Sequence, residues 1–133
     1  MRYRPLGPTG YSMLDRPAET LVLPTCAELG LGVVVFSPPA QGMLTGKYPA
    51  GEALPAGSRA TSERGARFVE RVLTPDNRAR VGRLRAAAAV ARLPLVHVAV
   101  AWVLRRPEIA SVIVGATSIA QVEQNAARRR RTR

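Results

Sequence analysis

Apolar residues are grouped along this chain in runs and stripes, and the grouping predicts its elements. Gly32-Val-Val-Val-Phe36 is apolar at every position after the glycine, as a strand buried on both faces of a parallel sheet should be. Tyr11-Ser-Met-Leu14 and Ser111-Val-Ile-Val114 are shorter runs that read as two further strands. Between the first two lies a helical stretch, residues 15–29, with Val22, Cys26 and Leu29 as its apolar stripe. Asp15 is placed to cap it, Pro17 sits in its first turn, Pro24 marks a start or kink, and Gly30 supplies the left-handed residue after its end. Residues 63–73 read as a short helix. Thr74-Pro-Asp76 then opens a longer helix to about Leu93, with Val81, Leu84, Ala88 and Ala91 forming one stripe. Residues 95–105 are apolar nearly all round and predict a buried helix stopped by Pro107. A last helix is expected from Ser118 to about Ala127.

Strands that alternate with helices imply βαβ units and an α/β fold built on a parallel sheet. Three strands cannot close a barrel. An open arc leaves Val33, Val35, Val112 and Val114 partly wet, and at roughly 25 cal/mol per Å² of apolar surface that predicts a marginal or self-associating protein. No apolar run reaches the roughly 18 residues of a membrane span, and no apolar segment follows Met1-Arg-Tyr-Arg4 to make an export signal. The single Cys26 forbids an internal disulfide, so the expected compartment is the reducing cytoplasm.

Charge changes the picture less than its size suggests. The net charge is +11, but nineteen of the twenty cations are arginine, and five of these fall within residues 128–133. The others are spread over helix faces, so the distribution disfavours a nucleic-acid surface. Lys47 is the only lysine, and it lies in a Gly/Pro-rich segment running from Ser37 to about Thr61, where a compact point charge suits a phosphate. Gly115-Ala-Thr-Ser118 follows the last strand and opens a helix, with Ser118 and Gln121 spaced as a capping box. Such a helix start favours an anion. His97 lies in an apolar helix and reads as structural, Asp76 as a helix-start residue, and no spacing suggests a metal site.

Gly32 to Tyr48, read as GVVVFSPPAQGMLTGKY, resembles the seventh strand and following loop of the aldo-keto reductases, in the branch of potassium-channel beta subunits and many bacterial oxidoreductases. Gly57-Ser-Arg-Ala60, Val98 to Pro107 and Gly115 to Asn125 agree with that family in order and spacing, and Tyr11 to Gly32 resembles its sixth strand and helix. Met1 to Gly10 resembles the family's extreme N-terminus. The resemblance implies a partial (β/α)8 TIM barrel of about three parallel strands with crossover helices. It implies an N-terminal arm at 1–10, a partial barrel domain at 11–127 and a basic tail at 128–133.

By the same resemblance the cofactor is NADP(H). Phe36 is expected to stack on the nicotinamide, while Ser37, Pro38, Ala40 and Gln41 line the pyrophosphate path. Lys47 and Arg59 are expected to meet phosphates, with Arg59 suited to the 2′-phosphate. Gly115, Thr117, Ser118 and Gln121 hold the adenosine phosphate end, and Gln124 and Asn125 reach the adenine. The family's acid–base set of Asp, Tyr, Lys and His comes from earlier strands, and none of its members has a counterpart here. The expected function is therefore a truncated, NADP-dependent aldo/keto reductase-like protein that keeps the cofactor loops. The alternative is a non-catalytic NADPH-binding or subunit-docking module whose open sheet edges pair with a copy of itself or with a partner subunit.

Overall fold

The all-apolar run forms a strand, Val33–Phe36 (β1), which pairs in parallel with a second strand, Ile109–Ile113 (β2). The computed structural model describes residues 10–126, so the expectations for the N-terminal arm before Gly10, for Ala127 and for the basic tail lie outside the described residues. In chain order the α-helices are Val22–Glu28 (α1), Ala66–Glu70 (α2), Pro75–Val90 (α3), Leu95–Leu104 (α4) and Ile119–Ala126 (α5). Parallel strands need a long crossover, and the segment carrying α2, α3 and α4 provides it. The register sets Val33 beside Ile109 and Phe36 beside Ile113, with one irregularity between Val33 and Val34.

The expected third strand at Tyr11–Leu14 does not form. Gly10 makes a single parallel bridge to Phe36, and the Tyr11 N–H reaches the Phe36 carbonyl at 3.4 Å. The Ser12 hydroxyl then accepts from the backbone N–H groups of Leu14 and Asp15 at 3.2 and 3.1 Å. That local acceptor competes with the sheet ladder and turns the chain after one contact.

The helix expected over 15–29 is also divided. Pro17–Glu19 forms a single 3₁₀ turn with no side-chain cap, so Asp15 does not serve as one. α1 starts only at Val22, which puts Pro24 in its first turn, where no backbone N–H is needed. Its end is as expected: Gly30 has φ +65°, and the Leu31 N–H closes on the Cys26 carbonyl at 2.8 Å. The stripe is shifted, however. Leu23 is fully buried and Leu29 is 66% exposed, while Val22 and Cys26 are only partly buried.

α2 is shorter than expected because the Ser62 hydroxyl accepts the Gly65 N–H at 3.1 Å and holds the preceding residues in turns. α3 follows the prediction at its start, where the Thr74 side chain caps the Asn77 N–H at 3.1 Å and Pro75 occupies the first position. On its stripe Val81 and Ala88 are buried, Leu84 is partly buried and Ala91 is exposed.

α4 joins two cores. Leu95, Ala99 and Val103 recur every fourth residue and so share one side of the helix. Leu95 and Ala99 pack with Met43, Leu44, Tyr48, Val69, Val81 and Ala88. Val103 packs with Tyr11, Leu23, Val33, Val35 and Ile109 against one face of the sheet. The other sheet face is bare: Val34, Phe36 and Ile113 are 51%, 40% and 60% exposed. This corrects the expectation that Val33 and Val35 would be wet and that β1 would be covered on both faces, because the helices choose the side carrying Val33 and Val35. Val112 and Val114 are partly buried, as expected. Among the described residues no single helix is long and apolar enough to cross a membrane.

Candidate functional site

At the end of β1 the chain makes a turn that sequence propensities oppose. Ser37, Ala40 and Gln41 have φ of 60°, 48° and 58°, and Gly42 follows at 94°. Left-handed backbone costs a non-glycine residue roughly 1–2 kcal/mol, so three in five positions need holding. Three contacts hold them. The Ser37 hydroxyl accepts from the Gln41 backbone N–H at 3.3 Å and from its Nε2 at 3.0 Å. The Ser37 N–H donates to the Ile113 carbonyl at 3.3 Å, and Pro38 and Ala40 are buried beneath the turn. Strain concentrated in this way is a mark of functional sites.

The turn forms one wall of an open cleft of about 550 Å³, within the usual size of a ligand site. Phe36, Ser37 and Gln41 lie on one side, Ile113 and Gly115 at the end of β2, and Arg59, Ser62, Arg64, Gly65 and Phe68 opposite. Arg59 Nη1 donates to Gln41 Oε1, so a chain of hydrogen bonds runs from Arg59 through Gln41 to Ser37. Ser37 Oγ already accepts twice, which leaves its own O–H to donate elsewhere. Arg59 and Arg64 both line the cleft, and among the described residues no Asp or Glu does.

Five of the residues proposed from sequence thus meet: Phe36, Ser37, Gln41, Arg59 and Gly115. Pro38 and Ala40 shape the turn from below and offer the cleft no side chain. Lys47 is exposed and outside the lining; its stem crosses Gly42, and its ammonium stands 5.2 Å from the centre of the Tyr48 ring. Thr117, Ser118, Gln121, Gln124 and Asn125 lie past Gly115, in the turn before α5 and along it, also outside the lining. Ser118 Oγ accepts the Gln121 N–H at 3.3 Å, as a capping box requires. Gln121 Oε1 reaches back to the Thr117 N–H at 2.7 Å, one residue earlier than the pattern implies. His97 on α4 holds the Gln124 carbonyl through Nε2.

Ser62, Arg64, Gly65, Phe68 and Ile113 are cleft residues that the sequence reading missed. The one local signal was Gly65 beside two arginines. A Cβ there would stand 2.5 Å from the Arg59 carbonyl oxygen, so only glycine lets α2 pack over Arg59. Gly65→Ala is expected to destabilise the chain by about 1–3 kcal/mol, in the range of overpacking, and to move the Arg59 side chain. Chemical denaturation checks the first effect; an unchanged midpoint would mean that the backbone gives way freely. Among the described residues no three His, Cys, Asp or Glu side chains converge as metal ligands.

The profile of the aldo/keto reductase family matches residues 9–131 of the 133. This chain belongs to the aldo/keto reductase family. It is 37% identical over 116 residues to a probable voltage-gated potassium channel subunit beta of Arabidopsis thaliana, an alignment covering 86% of this chain and 35% of that protein. It is 34% identical over 117 residues to the NADH-specific methylglyoxal reductase of Escherichia coli K12, covering 88% of this chain and 34% of that one. The L-glyceraldehyde 3-phosphate reductase of the same strain is 32% identical over 120 residues, covering 86% and 34%. The chain therefore spans about a third of the length of the curated relatives it matches. Aldo/keto reductases form a (β/α)8 barrel and use a nicotinamide dinucleotide, and the two-stranded parallel unit with its helices is consistent with an arc of such a barrel.

Proposed function

We propose that this chain binds NADP(H) in the cleft at the end of β1 and does not by itself reduce aldehydes or ketones. The reading rests above all on one convergence: Phe36, Ser37, Gln41, Arg59 and Gly115, drawn from separate motifs, line one cationic cleft. The residues present suit the cofactor. The Ser37 hydroxyl is a free donor, the guanidinium groups match phosphate, and Phe36, 40% exposed, offers an aromatic face. When bound, the nicotinamide supplies hydride; the residues named here bind and orient it. A proton donor of the family's kind is not among them. Tyr11 is buried with its hydroxyl on Glu19, and Tyr48 is buried under Lys47. The single cysteine fits a reducing cytoplasm as the place of action.

Calorimetric titration of the purified chain with NADPH and NADH, beside Arg59→Ala, tests the cofactor reading. Binding weaker than in a whole barrel is expected, in the micromolar range or above, with NADPH preferred; Arg59→Ala is expected to lose roughly tenfold of that preference. Equal affinities in the unaltered chain would remove the 2′-phosphate from the argument. Sustained NADPH oxidation with simple aldehydes would end the view that catalysis is lacking.

One observation favours a second reading, a docking module. Val34, Phe36 and Ile113 form a bare sheet face, and β2 pairs only with β1 among the described residues. A relative named as a channel subunit makes association with another chain a reasonable role. Sedimentation at several concentrations separates the readings, since a strictly monomeric chain argues against self-pairing.

A further inference from the structure

A second groove, of about 320 Å³, lies where the loop after Gly10 meets α3 and α4, and it shares no lining residue with the cleft at the end of β1. Its floor is apolar and partly buried. Met13, Leu14 and Leu84 pack against the core around Met43, and Trp102 against the core around Val103, so the floor runs along the join of the two cores. Its rim carries Arg16, Arg80 and Arg83. Arg80 and Arg83 are one turn apart on α3 with Leu84 beside them, so one helix face presents both charges and part of the floor. Arg16 is tied to Glu19 at 2.6 Å, but Arg80 and Arg83 are exposed and make no hydrogen bond or ion pair among the described residues. Among those residues no Asp or Glu lines the groove.

We propose that this groove docks an acidic segment of another polypeptide, one in which carboxylates flank an apolar side chain. The apolar side chain covers the floor, and the carboxylates meet Arg80 and Arg83, whose forked guanidinium groups suit them. Two exposed arginines one turn apart repel each other. A segment that brings two carboxylates removes that repulsion while it takes apolar surface out of water. Other anions satisfy only half of the groove. Inorganic phosphate meets the rim and leaves the floor wet. Single-stranded nucleic acid needs an open aromatic face for its bases, and the Trp102 ring already carries the guanidinium groups of Arg16 and Arg105 at 5.3 and 4.3 Å and the Tyr11 ring at 5.3 Å. The proposal does not depend on the cofactor reading, and this surface is separate from the bare sheet face of Val34, Phe36 and Ile113.

Trp102 is the only tryptophan of the chain, so its fluorescence reads this groove directly. The test titrates the chain with the blocked peptide Glu-Glu-Leu-Glu-Glu and follows Trp102 emission. Saturable binding with a shift in emission is expected. Replacing the flanking acids by glutamine should abolish it, and replacing the central leucine by serine should weaken it several-fold. The double variant Arg80→Ala, Arg83→Ala should bind the acidic peptide roughly tenfold more weakly, the product of two exposed charge pairs. The double variant Arg71→Ala, Arg85→Ala removes the same charge outside the lining and should bind nearly as the unaltered chain does. All four arginines are exposed, so both variants should fold, and thermal unfolding checks this. Equal losses in the two double variants would mean a general attraction to a basic chain and overturn the proposal. So would a serine peptide that binds as well as the leucine one, or tighter binding of oligothymidylate or inorganic phosphate than of the acidic peptide. Absence of binding to the unaltered chain overturns it as well, and each of these results leaves the cofactor reading standing.

Discussion

Leu23→Ala is expected to lower stability by about 3–5 kcal/mol, the upper part of the range for a buried leucine. Leu23 is fully buried and packs in the core that holds Tyr11, Val33, Val35, Val103 and Ile109. Its removal leaves a void directly under β1, where, among the described residues, the sheet has helices on one side only. The chain has little to spare. Small domains retain roughly 5–15 kcal/mol in all, and the bare Val34, Phe36 and Ile113 forgo burial that a closed barrel would supply. Most Leu23→Ala molecules should therefore be unfolded at 37 °C. Leu29→Ala, on the same helical segment but 66% exposed, should change stability by no more than about 0.5 kcal/mol. Urea unfolding of the two variants decides between this side of α1 and the one that the sequence stripe favoured. Similar losses at both positions would refute the packing described.

Glu19→Gln is expected to cost about 1–2 kcal/mol at neutral pH and to abolish part of the acid sensitivity of the fold. The Glu19 carboxylate accepts from Arg16 Nη2 at 2.6 Å and from the buried Tyr11 hydroxyl at 2.5 Å. The Arg16 bond first, and then the Tyr11 bond, hold its pKa down at about 2, from the usual 4.5. A depressed carboxylate stabilises the fold fully above pH 4.5, and this contribution is lost as the pH falls from there toward 2. Tyr11 moves the other way: burial, and then the hydrogen bond to Glu19, raise its pKa to about 12 from 10.0. Its contribution is complete below pH 10 and is lost as the pH rises through about 12. Between about pH 5 and 9 both contributions are constant. Stability measured from pH 2 to 7 should slope less in Glu19→Gln than in the unaltered chain. Parallel curves would show that the carboxylate is not held as described. Trp102 completes this cluster, with its ring centre 5.3 Å from that of Tyr11 and guanidinium groups of Arg16 and Arg105 at 5.3 and 4.3 Å.

What the sequence by itself determined about this chain is what local chemistry controls. Thr74-Pro-Asp76 carries its cap, its N-terminal proline and its acid within three residues, and α3 begins there. Gly30 ends α1 because only a residue tolerant of positive φ closes that turn cheaply. The apolar run at 33–36 became β1, and the motifs around it were sufficient to recognise the family. The tertiary structure decided sidedness and convergence. Val33 and Val34 are the same residue type in the same strand, yet one is buried and the other half exposed, since α1 and α4 cover one face of the sheet and no other described helix covers the second. Leu23 rather than Leu29 entered the core because α1 starts seven residues later than its apparent cap, a delay set by the turn around Ser12 and Pro17. The cleft shows the same division. Ser37, Gln41 and Arg59 were legible from their motifs, whereas Arg64, in the turn before α2, and Phe68, on α2, were two more side chains until Gly65 allowed that segment to pack over Arg59. A capping box needs four residues in order, but a ligand site needs segments far apart in sequence to arrive at one place, and only the packing of α2 and both strands brings them there.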